Sequence, residues 1–164
     1  MDHLYAPWRT EYISGAQQHK GCVFCEIAAH PERDRENHLL FRRSGLFGVM
    51  NRYPYTPGHF MIIPDLHCAN LEELPEETWL AMCALARVGV KLLKEGFGAH
   101  GVNVGLNLGH AGGAGIAEHL HLHLVPRFER DTNFMTAIGE TRVYSTDFEV
   151  VYEKIYKLWQ KELA

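Results

Sequence analysis

The amino-acid sequence predicts an α+β fold, an antiparallel five-stranded sheet with a long amphipathic helix and a C-terminal helix, and three observations predict it. Short apolar segments separated by turn residues follow one another early in the chain. A single long stretch at helical spacing then intervenes. After it, two alternating segments face each other across a glycine-rich turn. Strands and helices are therefore grouped and not alternated, which argues against a parallel, doubly wound sheet.

The early meander comprises Leu39-Leu40-Phe41, Leu46-Phe47-Gly48-Val49-Met50 and His59-Phe60-Met61-Ile62-Ile63, with turn chemistry at Ser44-Gly45 and Pro57-Gly58. Ahead of it, Pro31-Glu32-Arg33-Asp34-Arg35-Glu36-Asn37 reads as a charged surface loop. Pro75 with Glu76 and Glu77 makes a favourable first helical turn, since proline needs no N–H there and acidic groups complement the helix dipole. Trp79, Met82, Cys83, Ala86, Val90 and Leu93 keep helical spacing until Gly96, where this helix is expected to end. Val102-Asn103-Val104-Gly105-Leu106-Asn107 then alternates as a strand and is expected to pair with the strand that runs up to Pro126. From Asp147, the apolar positions Val151, Ile155, Leu158 and Trp159 mark the terminal helix.

A chain of 164 residues, 46% of them apolar, has material for one domain with a substantial core. Its formal charge of -4 and lack of a lysine- or arginine-rich block argue against a general nucleic-acid binder, while a small anionic ligand remains admissible. The start Met1-Asp2-His3-Leu4-Tyr5-Ala6-Pro7-Trp8-Arg9 lacks a basic end followed by an apolar core, and no apolar run approaches about eighteen residues. Neither secretion nor membrane insertion is expected, and a cytoplasmic location is. Four cysteines include the pair Cys22-Val23-Phe24-Cys25, which suits a metal or redox site in a reducing compartment better than a disulfide framework. Cys68 and Cys83 read as small apolar side chains.

The segment richest in chemistry is Glu118-His119-Leu120-His121-Leu122-His123-Leu124-Val125. Period-two alternation projects three imidazoles from one face of a strand and packs Leu120, Leu122 and Leu124 on the other. At roughly 3.3 Å per residue, His119 and His123 lie about 13 Å apart along the backbone, too far to grip one metal ion together. The three histidines are thus expected to hold different tasks. A neutral imidazole can attack an electrophilic phosphorus if its second nitrogen is fixed by an acceptor. His121, flanked by the other two, is the best placed nucleophile, and His123 is the natural neighbour to bind phosphate or the departing bridging oxygen.

Between the last two strands, Leu108-Gly109-His110-Ala111-Gly112-Gly113-Ala114-Gly115 is small enough to turn backbone N–H groups toward phosphate oxygens, although a plain hairpin turn also asks for such residues. Cys22 and Cys25 need two further ligands to close a tetrahedral zinc site, and among eleven histidines His67 and His119 are the choice. Such a closed site would be structural, tying the N-terminal segment to the histidine strand. A redox pair lacks the surrounding βαβ pattern expected of thioredoxin-like proteins. Leu39, Phe41, Phe47 and Met50 read as core more readily than as a base pocket, and Arg9 and Arg127 are candidates to meet distal phosphates.

The row His119-Leu120-His121-Leu122-His123-Leu124-Val125 resembles the signature of the histidine triad (HIT) family of nucleotide hydrolases and transferases. Asn51-Arg52-Tyr53-Pro54-Tyr55-Thr56-Pro57-Gly58-His59 resembles the ribose-contacting strand and turn of its dinucleoside-polyphosphate-cleaving branch, and Leu106-Asn107-Leu108-Gly109 its phosphate-contacting strand end. Residues 6–13 and 131–139 are similar to the bacterial diadenosine tetraphosphate phosphorylases of this family. The resemblance implies a nucleotidyl-histidine formed on His121, phosphate contact from His123 and support of the pair by His59. It implies that Asn51 holds the ribose and Asn107 a phosphate oxygen; backbone donors from Gly113, Ala114 and Gly115 in the glycine-rich loop are expected to substitute for side-chain assistance at Ile116. It also implies zinc held by Cys22, Cys25, His67 and His119, the set already chosen from spacing.

Ile116 stands where phosphoramidase-type relatives carry serine or threonine, and Asn51 where they carry an acid. Both departures point away from a phosphoramidase-type hydrolase. The expectation is therefore one HIT-like domain over 1–164, with an arm at 1–20, a catalytic core at 21–128 and an extension with a helix at 129–164. It would cleave a purine dinucleoside polyphosphate such as diadenosine tetraphosphate, with phosphate or water as acceptor. Magnesium is expected only as company for the polyphosphate. Edge strands that need covering imply a homo-oligomer, a dimer or a dimer of dimers. The competing readings are a sensor that holds a purine mononucleotide without turnover, and a metal catalyst using His119, His121 and a distant histidine.

Overall fold

A computed structural model describes residues 21–129, 131 and 146–164. The stretch 6–13, Arg9 within it, and residues 132–139 lie outside the described residues. The meander forms as β1 (Leu39–Arg43), β2 (Leu46–Met50) and β3 (Phe60–Pro64), and the hairpin as β4 (Gly101–Gly105) and β5 (Leu122–Arg127). All neighbours are antiparallel, in the order β1-β2-β3-β5-β4. The long connection from β3 to β4 lets β5 enter beside β3, so the histidine strand is an inner strand of the sheet. Met61 stands opposite His123 on one side, and Gly105 on the other.

Two boundaries differ from expectation. The fourth strand ends at Gly105, two residues before Asn107, because its ladder with β5 closes at His123. Paired structure in the histidine row begins only at Leu122. His119 and His121 lead into it, and the N–H of Leu120 between them donates to the Cys68 carbonyl at 2.8 Å. The alternation of faces survives: Leu120, Leu122 and Leu124 join the larger core, while Phe24 meets His119 and His121 at ring distances of 5.5 and 5.2 Å.

Both faces of β1, β2, β3 and β5 are buried over most of their length, which explains why these strands are largely apolar, whereas β4 is largely exposed. On one face Leu40, Met50, Phe60, Ile62 and Leu124 pack against Met82, Leu93 and Trp159 of two long helices. On the other, Leu39, Phe47, Val49, Met61 and Ile63 pack beneath Phe24 of a short helix, α1 (Val23–Ala29). This helix was not expected. It is only seven residues long, too short for a helical period to emerge from sequence, yet it sets the cysteine pair and Phe24 beside the histidine row.

The second helix, α2 (Glu76–Lys91), does not stop at Gly96. It continues as a wider π-helical segment over Leu92–Phe97 and is closed by Gly98 in the left-handed region at φ 89°. Gly96 has a packing role instead, since a Cβ there would stand 2.6 Å from Leu158 Cδ2. The terminal helix, α3 (Phe148–Leu163), opens on Asp147, whose carboxylate accepts from the Val150 N–H at 3.1 Å. Val151, Tyr152, Ile155 and Trp159 are its buried stripe. Tyr152 and Gln160 donate to the carbonyls of Leu39 and Leu40, so side chains of α3 secure the strand at one margin of the sheet. At the other margin β4 keeps Val104 47% exposed.

The charged stretch before β1 is a surface turn that begins with a short 3₁₀ helix at Pro31–Arg33. Arg42 binds Asp34 and the carbonyls of Ile27 and Ala28, so β1 anchors this turn and α1 together. No helix among the described residues is long and apolar enough to cross a membrane.

Candidate active site

Among the described residues, four histidines are buried at the end of the inner strands: His59, His119, His121 and His123. Their hydrogen bonds fix which ring nitrogen carries a proton. Nδ1 of His121 lies 2.8 Å from the His119 carbonyl, which can only accept, so that nitrogen bears the proton and Nε2 keeps its lone pair. Burial pushes the His121 imidazole below its ordinary pKa, which favours this neutral form. Nδ1 of His59 accepts the Tyr55 N–H at 3.2 Å, leaving its proton on Nε2, 2.9 Å from Nδ1 of His123. The proton of a neutral His123 is then on Nε2. One imidazole of the row therefore offers a lone pair and the next offers a donor, 4.8 Å apart between ring centres.

Those two rings line a cavity of about 280 Å³, roughly one nucleotide in capacity. Asn51, Asn107, Gly113 and Gly115 line it as well, so chemistry-bearing positions from three separate stretches of the sequence converge. Gly113 adopts φ 86° and Gly109 φ 66°, a backbone region that admits the loop's reversal beside the histidines. Ala114 is buried without lining the cavity. Asn51 holds its turn together: its Oδ1 accepts the Tyr53 N–H at 2.9 Å, and its amide nitrogen stands 3.3 Å from His59. His59 reaches the site through His123 and is covered by the Tyr55 ring stacked 4.8 Å away.

Arg127 does not line this cavity. Its guanidinium is committed to Asp131, at 2.6 and 3.0 Å, and to Asn103. Leu39, Phe41 and Phe47 are core as expected, while Met50 reaches the cavity wall together with Phe24, Ile27, Tyr55 and Met61. Sequence reading overlooked Phe24 and Ile27; the three-residue spacing of these apolar positions after the first cysteine was their only signal.

Cys22, Cys25, His67 and His119 converge so that their ligand atoms all lie within 4.8 Å of one another. Sγ of Cys22 is 3.3 Å from Nδ1 of His119, and Sγ of Cys25 is 3.2 Å from Nδ1 of His67 and 3.6 Å from that of His119. A tetrahedral zinc ion bound at about 2.3 Å to sulfur and about 2.0 Å to nitrogen holds unlike ligands about 3.5 Å apart, so this donor set fits. Nε2 of His119 lies 2.8 Å from the Pro64 carbonyl, an outer partner that turns the Nδ1 lone pair toward the thiols. Among the described residues this is the only such cluster able to hold a metal, and it contains no carboxylate suited to magnesium.

A five-stranded antiparallel sheet whose inner strand receives three alternating histidines defines a histidine triad protein. The chain belongs to the HIT family: the HIT domain model matches residues 32–130. The chain is 34% identical over 149 residues to a protein of Mycobacterium tuberculosis named AP-4-A phosphorylase, covering 87% of this chain and 76% of that one. Over 111 residues it is 33% identical to adenylylsulfatase HINT3 of Arabidopsis thaliana, covering 67% of this chain and 54% of the relative. Among solved structures, a Zn-bound histidine triad family protein from Mycobacterium smegmatis superposes with a TM-score of 0.71 at 26% identity, covering 87% of this chain and 95% of the other.

Proposed function

We propose that this protein cleaves a dinucleoside polyphosphate such as diadenosine tetraphosphate by passing one nucleotidyl group through His121 to inorganic phosphate. The observation that carries the reading is the 2.8 Å bond from His121 Nδ1 to the His119 carbonyl, which leaves a lone pair on a ring lining a nucleotide-sized cavity. The relative of Mycobacterium tuberculosis named AP-4-A phosphorylase supports phosphate as the acceptor.

In the first displacement, Nε2 of His121 attacks the α-phosphorus and the bond from that phosphorus to the bridging oxygen breaks. Adenylate remains on the histidine, and ATP leaves. The His119 carbonyl, already accepting from Nδ1, stabilises the positive charge that develops on the ring. His123, its own Nδ1 turned to His59, presents Nε2–H to the bridging oxygen as charge accumulates there. Ile116 lines the cavity without a hydroxyl to assist, so donors beyond His123 come from the backbone of the glycine-rich loop, Gly113 to Gly115. Asn107 meets a phosphate oxygen, and Asn51 faces the ribose. In the second displacement phosphate attacks the same phosphorus, the phosphorus–nitrogen bond breaks, and ADP is released with neutral His121 restored.

Cys22, Cys25, His67 and His119 are the residues that would hold zinc. Bound there, zinc would supply structural cross-linking only. Its ligands tie α1 to the approach of β5, so the His119 carbonyl is held where His121 needs it. A second copy of the chain would cover the exposed margin of β4.

Incubation with diadenosine tetraphosphate, with and without phosphate, separates the acceptors. The expected products are ADP and ATP in equal amounts, at a rate that rises with phosphate. A phosphate-independent rate giving AMP and ATP would reject the phosphorylase form.

A further inference from the structure

We propose that the end of the cavity remote from His121 is a purine-base subsite whose outer wall belongs to the terminal helix, with Phe148 stacking on the base and the His38–Glu149 pair holding Phe148 in place. The inference rests on the reading of this cavity as a nucleotide site and adds to it which residues recognise the base. The cavity extends from His121 and His123 to His38 and Phe148. The His38 carbonyl accepts the Met50 N–H, Met50 pairs with Phe60, and Phe60 pairs with Leu124. His38 therefore stands close to the row of the sheet that carries His123, three strand spacings or about 14 Å away. A nucleoside monophosphate with an extended sugar and a fused two-ring base bridges a gap of that order.

The lining includes the apolar side chains of Phe24, Ile27, Val49 and Met50 from α1 and β2, alongside the polar Glu36, Asn51 and Arg52. The apolar members suit the faces of a base. At the remote end the wall is braced. Nε2 of His38 lies 2.6 Å from Oε1 of Glu149, and the His38 ring meets Phe148 and Tyr152 edge-on at 5.0 and 4.9 Å. His38 adopts φ 57°, a conformation that disfavours a side chain, so packing holds it at the rim against its own backbone preference. Asn37 beside it lines the cavity with an amide that both donates and accepts, as the edge of adenine does. The terminal helix is thus a specificity element as well as a support for β1.

Equilibrium titration of the full chain with AMP and with ribose 5-phosphate tests this, using Phe148→Ala, Phe148→Leu and Glu149→Gln. Phe148→Ala is expected to weaken AMP about tenfold while ribose 5-phosphate binds as before. Phe148→Leu keeps bulk without an aromatic face and should fall between. Glu149→Gln should weaken AMP by about threefold, again without change for ribose 5-phosphate. Parallel weakening of both ligands would mean general damage and would overturn the subsite, as would AMP affinity unchanged by Phe148→Ala. Binding requires no turnover, so the subsite can stand even if no covalent histidine forms. An unaltered protein that bound neither ligand would reject the nucleotide reading itself.

Discussion

Replacing His121 with alanine is expected to lower the rate of dinucleoside tetraphosphate cleavage by about 10⁴-fold or more, with AMP affinity altered only slightly. The expectation follows from position. His121 is fixed by its bond to the His119 carbonyl, so its removal deletes the lone pair that attacks phosphorus while Phe24, Asn107 and the glycine-rich loop still line the cavity. His123 cannot stand in for it, because its Nδ1 is engaged by His59 and its remaining nitrogen carries a proton. Single-turnover kinetics would place the loss in the chemical step. Turnover left unchanged by the substitution would remove His121 from the mechanism, and a matched loss of AMP binding would mark it as a binding residue only.

The second large effect concerns the four-ligand cluster. Removing its metal with a strong chelator, or replacing Cys25 with serine, is expected to cost about 3 kcal/mol and lower Tm by about 10 °C. The sheet and its two long helices retain their own core, so the chain should stay folded where a small zinc-dependent module would not. Activity should fall further than stability predicts. His119 contributes its ring to the cluster and its carbonyl to His121, so a loosened ring also loosens the acceptor that fixes the nucleophile. Elemental analysis should give one zinc per chain, lost in the Cys25→Ser protein and retained in a Cys68→Ser control. Cys68 lies outside the cluster, bonded to the Asn70 carbonyl. Equal melting temperatures before and after chelation of a zinc-loaded sample would contradict the structural assignment.

Much of this architecture was legible in the sequence because its signals are local. Alternation in the histidine row, turn residues at Ser44-Gly45 and Pro57-Gly58, and the apolar spacing of α2 and α3 each describe a segment by itself. The four metal-binding candidates were legible for another reason: a Cys-x-x-Cys pair calls for two further ligands, His67 and His119 flank the ends of predicted strands, and the fold brings all four together. What escaped depends on contacts between segments. The short helix α1 gains its place from burial of Phe24 on β2 and β3, not from helical propensity over seven residues. Gly96 looks like a stop signal, but its absent side chain is used by Leu158, and the helix runs on to Gly98. Arg127 reads as a candidate for distal phosphates, but it pairs with Asp131, four residues on, and does not line the cavity. His38 and Phe148 are separated by more than half the chain, and nothing local to either announces that they share a cavity wall.

Adenylylation of His121 is tested most directly by rapid-quench intact-mass spectrometry. Enzyme mixed with diadenosine tetraphosphate in the absence of phosphate, then quenched without acid, should gain the mass of one adenylyl unit. Peptide mapping should locate that unit on His121, and added phosphate should discharge it as ADP. A protein that turns over substrate at full rate while never carrying that mass, even when the second step is slowed, would exclude a covalent nucleotidyl-histidine.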